Sequence, residues 1–193
     1  MADVTRYTVT IKGERLMMHN EQLANPFNEY AVELRKFTKK RGKSEEDYRE
    51  IARIEYQGGL YFDEKIGPFV PAHCLNKMMV QGARKRKLGK LFEEMVLVEG
   101  PAPVQYKGPR DRKRLWESGE FVDQRLAGVN AARTLRTRPL FRDWTVQFSV
   151  RVEGGAVDRE QLRQAVEAAQ FIGLLDGRPM YAGQFTLVGV KEA

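Results

Sequence analysis

Trp144, Val146, Phe148, Val150 and Val152 alternate without interruption with Thr145, Gln147, Ser149 and Arg151. Successive side chains of an extended chain point to opposite faces, so this run reads as a strand with one dry face and one wet face. A sheet built on such a strand is covered on one side only, as antiparallel sheets commonly are. The rest of the chain must therefore supply a one-sided cover and further strands of the same kind.

Both can be found in order. Tyr7, Val9 and Ile11 alternate with Thr8 and Thr10 as a half-buried first strand. Asn25-Pro26 reads as a cap and first turn of a helix to about Lys40, carrying Phe27, Tyr30, Leu34 and Phe37. Ser44 with Asp47 resembles a capping box for a second helix through Tyr48, Ile51, Ile54 and Glu55, stopped by Gly58-Gly59. A short strand at Leu60 to Phe62 follows, then extended Pro68 to Pro71, since a residue before proline avoids helix. A helix from about Ala72 places Leu75, Met78, Met79 and Ala83 on one face, and Met95 to Val98 reads as a strand.

Beyond the long strand, Asp158 caps a helix to about Ile172 with Leu162, Ala165, Val166 and Ala169 as its stripe. A loop from Leu174 to Gly183 leads to a last strand, Phe185 to Val190. Strand, helix, loop and strand with one-sided patterning make half of a ferredoxin-like domain, and Tyr7 to Ile11 with the Leu60 to Val70 region and the helix at Ala72 make the other. The fold class expected is α+β: a ferredoxin-like antiparallel sheet with helices on one face. Between Gly100 and Arg138, Pro101, Pro103, Pro109 and dense charge argue for hairpins and loops rather than core, with a strand only at Val104 to Tyr106. The expected organisation is one domain over residues 1–193, its core being 1–99 and 139–193 and its basic insertion 100–138.

Charge narrows the partners. The formal net charge is +7, and the basic residues are clustered. Arg84, Lys85, Arg86 and Lys87 follow one another at a helix end, where cations are favourable in any case. Arg133, Arg136 and Arg138 lie in a stretch without an acid. Such clusters attract polyanions and make binding salt-dependent. No stretch is long and apolar enough to span a membrane, the polar segment Met1 to Tyr7 is unlike a secretion signal, and Cys74 is the sole cysteine. A cytoplasmic protein without a disulfide framework is the expectation.

Catalytic constellations are scarce. No phosphate-binding glycine loop, paired cysteines or His-Glu metal helix is present, so no cofactor and no metal is expected. Adjacent His73 and Cys74 would point in different directions from a helix start. His19, just beyond the first strand, could act as a general acid or base, but no partner is visible at a fixed offset. The wet face of the long strand carries no Phe or Tyr, which argues against base reading of the RRM kind and for backbone contact. The loop Gly173 to Phe185 contains Gly173, Gly177 and Gly183 for close approach of a backbone, Arg178 for charge and Tyr181 for stacking. In an extended chain Arg136 and Arg138 share one side.

Val70-Pro71-Ala72 followed by Lys77 and Gly82-Ala83-Arg84, with the Gly173 to Phe185 loop between the last helix and last strand, resembles the RAMP superfamily of CRISPR effector backbone and processing subunits. Ala182 and Gln184 stand in this loop where the family has more glycine. The resemblance implies a thumb- or finger-like role for the insertion and oligomerisation along a nucleic-acid strand. Met17-Met18-His19-Asn20, Ala52-Arg53-Ile54-Glu55 and Arg136-Thr137-Arg138-Pro139, with the same loop, are similar to a family of small, mostly uncharacterised bacteriophage and prophage proteins.

These readings converge on a non-enzymatic binder of single-stranded RNA or DNA, held through its backbone by Arg84, Lys85, Arg86, Lys87, Arg133, Arg136, Arg138 and Arg178, with Tyr181 stacking, in a homo-oligomer. Two rivals remain: a metal-independent endoribonuclease using His19, and a phage protein whose basic face meets an acidic host protein.

Overall fold

A computed structural model describes residues 4–129 and 132–193; the first three residues of the polar N-terminal stretch and residues 130–131 of the expected insertion lie outside it. The elements are β1 (Val4–Met17), α1 (Glu29–Thr38), α2 (Glu45–Gly59), β2 (Phe62–Asp63), β3 (Gly67–Val70), α3 (Ala72–Arg84), α4 (Gly89–Met95), β4 (Val96–Val98), β5 (Ala102–Gln105), α5 (Arg112–Glu117), β6 (Val122–Val129), β7 (Ala132–Glu153), α6 (Arg159–Ala169) and β8 (Thr186–Glu192).

β7 is the long alternating strand, and it organises the molecule. β1 lies antiparallel to it over Val4–Met17, with β8 antiparallel on the far edge of β1. β4 pairs with Val150–Val152 of β7, and β5 pairs with Thr145 and Val146. The order β8-β1-β7-β4, with α3 joining β1 to β4 and α6 joining β7 to β8, is a ferredoxin-like α+β topology with an antiparallel sheet. The expected dry face is dry: Trp144, Val146, Phe148, Val150 and Val152 join Tyr7, Val9 and Ile11 in the main core. Leu75, Met78, Met79 and Ala83 of α3 and Leu162, Ala165, Val166 and Ala169 of α6 cover them.

The two helices meet closely because Gly82 has no side chain. A Cβ there would lie 1.9 Å from the carbonyl oxygen of Ala165. The N-terminus of α6 is fixed by a capping box in which the Asp158 side chain accepts from Gln161 N and the Gln161 side chain from Asp158 N. Ser44 and Asp47 form the same device on α2, as their spacing predicts.

Elsewhere the structure departs from the expected boundaries. The Asn25 side chain accepts from Phe27 N in a turn, and Asn28 caps α1 by accepting from Tyr30 N and Ala31 N. A second asparagine three residues on thus displaces the helix start, and Phe27 is left exposed. Leu60 ends α2 in extended conformation, so the next strand begins only at Phe62. Met95 belongs to α4, a short helix whose first turn has no polar cap to announce it. In the stretch read as lying outside the core, Ala102, Val104, Leu115 and Phe121 are buried within it. What projects is the hairpin of β6 with the first third of β7, in register from Val122–Pro139 to Val129–Ala132.

β1 also runs further than its alternation predicts. Ile11 and Leu16 both reach the main core, although five residues apart, so the strand changes phase between them. Across the pair, Phe141 and Trp144 show the same break, and Asp143 between them has φ +48°. The break turns Met17 and Leu140 to the opposite face, where Ala182 and Tyr181 cover them. In this way the glycine-rich loop is folded over the far end of the sheet.

Candidate nucleic-acid interface

The hairpin, the loop and the end of β1 meet at this far end. In β6 and β7, Asp123 stands opposite Arg138 and Arg125 opposite Arg136. The Asp123 carboxylate, buried, accepts two bonds from Arg125 (2.5 and 2.8 Å) and one from the Tyr181 hydroxyl (2.9 Å). Burial would raise its pKa, but the Arg125 and Tyr181 bonds outweigh burial and hold it below the usual carboxylate value. Arg125 also lies over the Tyr181 ring, 3.2 Å from its centre, and Arg15 sits 5.2 Å away. The ring expected to stack on bases therefore carries a guanidinium on one face already.

Arg136 and Arg138 share a side, as alternation predicts, and both are engaged. Arg136 Nη1 donates to Glu55 Oε1 of α2 at 2.5 Å, while Glu55 Oε2 accepts from Thr137 N at 2.9 Å. Arg138 Nε lies 2.9 Å from Asp176 of the loop. His19 stands beside both pairs, its ring partly in water and partly against the wall of a cleft of about 410 Å³ that Glu55, Arg136 and Arg138 also line. Partial burial lowers its pKa, and Arg138 and Arg136 push the same way against Asp176 and Glu55. Both effects favour the neutral imidazole over the charged one. The Tyr61 hydroxyl donates to the His19 backbone carbonyl at 3.4 Å.

The remaining predicted residues lie elsewhere. Arg84 pairs with Glu93 of α4, and Lys85 Nζ donates to Ala168 O at 2.9 Å, in the last turn of α6. Arg86 and Lys87 are exposed beside them, on the helical layer. Arg178 turns from the loop toward α3, with Nη1 3.4 Å from both Gln81 Oε1 and Gly173 O. Arg133 is exposed near the outer end of the hairpin. His73 faces Glu21 at 3.4 Å, and burial pushes the Cys74 thiol up to about 11.

Sequence reasoning missed Arg15, Asp123, Arg125 and Arg142. Arg15 and Arg142 are exposed register partners at the root of the hairpin. Three hairpin arginines, Arg125, Arg136 and Arg138, are matched by Asp123, Glu55 and Asp176. Among the described residues Arg15, Arg133 and Arg142 make no such pair.

No protein-family model and no curated protein matches the sequence. Solved structures do match. One is a chain of the cryo-EM structure of the Type III-B Cmr-beta bound to cognate target RNA, at TM-score 0.60 and 12% identity, covering 98% of this chain and 60% of that one. At that identity the likeness is one of fold. This chain spans about three-fifths of the length of that neighbour. Within the ferredoxin-like core, β1-α3-β4 and β7-α6-β8 are the two halves, and the candidate site lies where the connection α6–β8 crosses the root of the β6–β7 hairpin. Among the described residues no helix is long and apolar enough to cross a membrane.

Proposed function

We propose that this chain is a non-enzymatic nucleic-acid-binding protein that holds a single strand by its phosphate backbone and assembles with further copies along it. The observation that carries the reading is the surplus of guanidinium groups around the hairpin. Arg15, Arg133 and Arg142 have no carboxylate partner among the described residues, Arg142 donating only to the Glu120 backbone carbonyl at 2.6 Å, so their charge is left for an external anion after Arg125, Arg136 and Arg138 have taken their carboxylates. Surplus charge set along an extended projection suits a ligand with regularly spaced phosphates. The neighbour of similar fold is a chain of a complex bound to target RNA, which supports the same class of ligand. In this reading Tyr181 orients Arg15 and Arg125, while Arg86, Lys87 and Arg178 give a second, weaker field on the helical side.

Fluorescence anisotropy of labelled single-stranded RNA, single-stranded DNA and duplex DNA at several salt concentrations tests it. Binding to single strands should weaken steeply with salt, by a slope of about 0.7 per neutralised phosphate on logarithmic axes. Arg15→Glu with Arg142→Glu should weaken binding to all sequences alike. A flat salt response would remove the phosphate reading, and no binding even at low salt would point to an acidic protein as the partner.

His19 supports a second reading, a metal-independent endoribonuclease. A neutral imidazole between guanidinium groups is suited to accept a proton from a ribose hydroxyl beside a bound phosphate. Cleavage of a structured RNA in the presence of chelator, abolished in His19→Ala, would establish it; its absence leaves the binder.

A further inference from the structure

Phe171 and Met180 are among the most exposed large apolar side chains of the molecule, at 75% and 94%, and they line the same cavity. Phe171 follows the last turn of α6, and Met180 lies on the glycine-rich loop. The cavity measures about 470 Å³ and has Arg15, Glu14, Gln170 and Gln184 on its walls. An exposed apolar pair rimmed by polar groups marks a binding surface.

The chemistry of the walls selects the occupant. Glu14 and Arg15 are the charged residues of the lining, and they cancel, so the cavity favours an uncharged group over a phosphate. A phenyl ring and a polarizable thioether both make good contacts with a flat aromatic system. Gln184 donates its amide to Pro179 O at 2.9 Å, which fixes its side chain and leaves its carbonyl oxygen to accept from a ligand edge. The volume is that of a small-ligand pocket, with room for one base and its sugar. Arg15, one of the unpaired arginines, stands at the same cavity, so a backbone following the arginines brings a base to it.

We infer that Phe171 and Met180 form a stacking platform for one unpaired base of the bound strand, a role sequence reasoning gives to Tyr181. The inference rests on the backbone-binding reading above. It adds a base-dependent contribution to binding that phosphate contacts cannot supply.

The test compares an ordinary single strand with an abasic strand of equal length. The base-bearing strand should bind about tenfold more tightly, the usual order for one stacked base. Phe171→Ala and Met180→Ser, both at exposed positions, should each remove most of that difference and leave the salt slope unchanged. A 5-iodouracil-bearing strand should crosslink to Phe171 or Met180 on irradiation. Salt-sensitive binding that is equal for both strands and unmoved by either substitution would overturn the platform while sparing the backbone reading. A loss of self-association in sedimentation, with affinity unaltered, would make the pair a contact between copies instead. No binding of either strand at low salt would overturn both.

Discussion

Asp123 and Arg138 stand directly opposite each other in the β6–β7 hairpin, and each holds a different residue of the glycine-rich loop. Asp123 takes the Tyr181 hydroxyl at 2.9 Å, and Arg138 pairs with Asp176 at 2.9 Å. One rung of the hairpin therefore anchors the loop at two points. Whatever an arginine on the hairpin binds is mechanically joined to the loop that covers Met17 and Leu140.

That double anchorage can be measured. Tyr181→Phe removes one bond to a charged acceptor and should cost about 1–2 kcal/mol in urea denaturation. Asp123→Asn takes the partner from Arg125 and should cost about 1–3 kcal/mol, since Arg125 is partly open to water. The double variant should lose less than the sum, because Asp123→Asn already weakens, by removing the charge on the acceptor, the bond that Tyr181→Phe deletes. Strict additivity would show that Tyr181 and Asp123 do not act together.

Glu55 tests whether Arg136 is held in reserve or spent. Its buried carboxylate accepts from Arg136 and from Thr137 N, tying α2 to the hairpin. Glu55→Gln should lower stability by about 2 kcal/mol through the unpaired Arg136. It should also raise affinity for single strands at low salt, because a guanidinium is released. Unchanged affinity in a folded variant would place Arg136 outside the binding surface.

The parts of this molecule that could be read in advance are those with a local pattern. The Trp144 to Val152 alternation needs nothing but its own residues to declare a strand, and Asp158 with Gln161 declares a helix start in the same way. Helix α4 lacks such a mark: Leu88 precedes it without a side-chain cap. The phase change opposite Asp143 was invisible because it depends on two strands bending together. The site divides similarly. Arg136 and Arg138 stood out as charge, but their neutralisation by Glu55 and Asp176 joins residues distant in sequence. Arg125 and Tyr181 form the tightest cation–ring contact of the described residues across 56 positions, with no periodicity to link them.

The α3–α6 contact should tolerate no side chain at Gly82. A methyl group there meets the Ala165 carbonyl at 1.9 Å and the Ala169 Cβ at 3.0 Å, and backbone must move to admit it. Gly82→Ala should cost about 3 kcal/mol and lower Tm by roughly 6–12 °C. A thermal scan showing no change would mean that the helices can separate freely, and the one-sided cover of the sheet would be looser than drawn.

His19 gives the molecule a dependence on pH whose sign can be worked out. Burial and the Arg138 guanidinium set its pKa below that of the unfolded chain, about 6.5. Between the two values the unfolded chain binds more protons, so this contribution to stability is whole above about pH 6.5 and shrinks as the pH falls through the window. A bound phosphate acts in the opposite direction, since it favours the imidazolium beside it. Affinity for a single strand should therefore rise on acidification over the range in which stability falls. His19→Gln should remove both trends while leaving the binding at neutral pH, and anisotropy and urea midpoints at two pH values read them separately. If the substituted protein keeps the full rise in affinity, His19 does not face the strand, and the cleft beside Arg136 and Arg138 is not where the phosphates run.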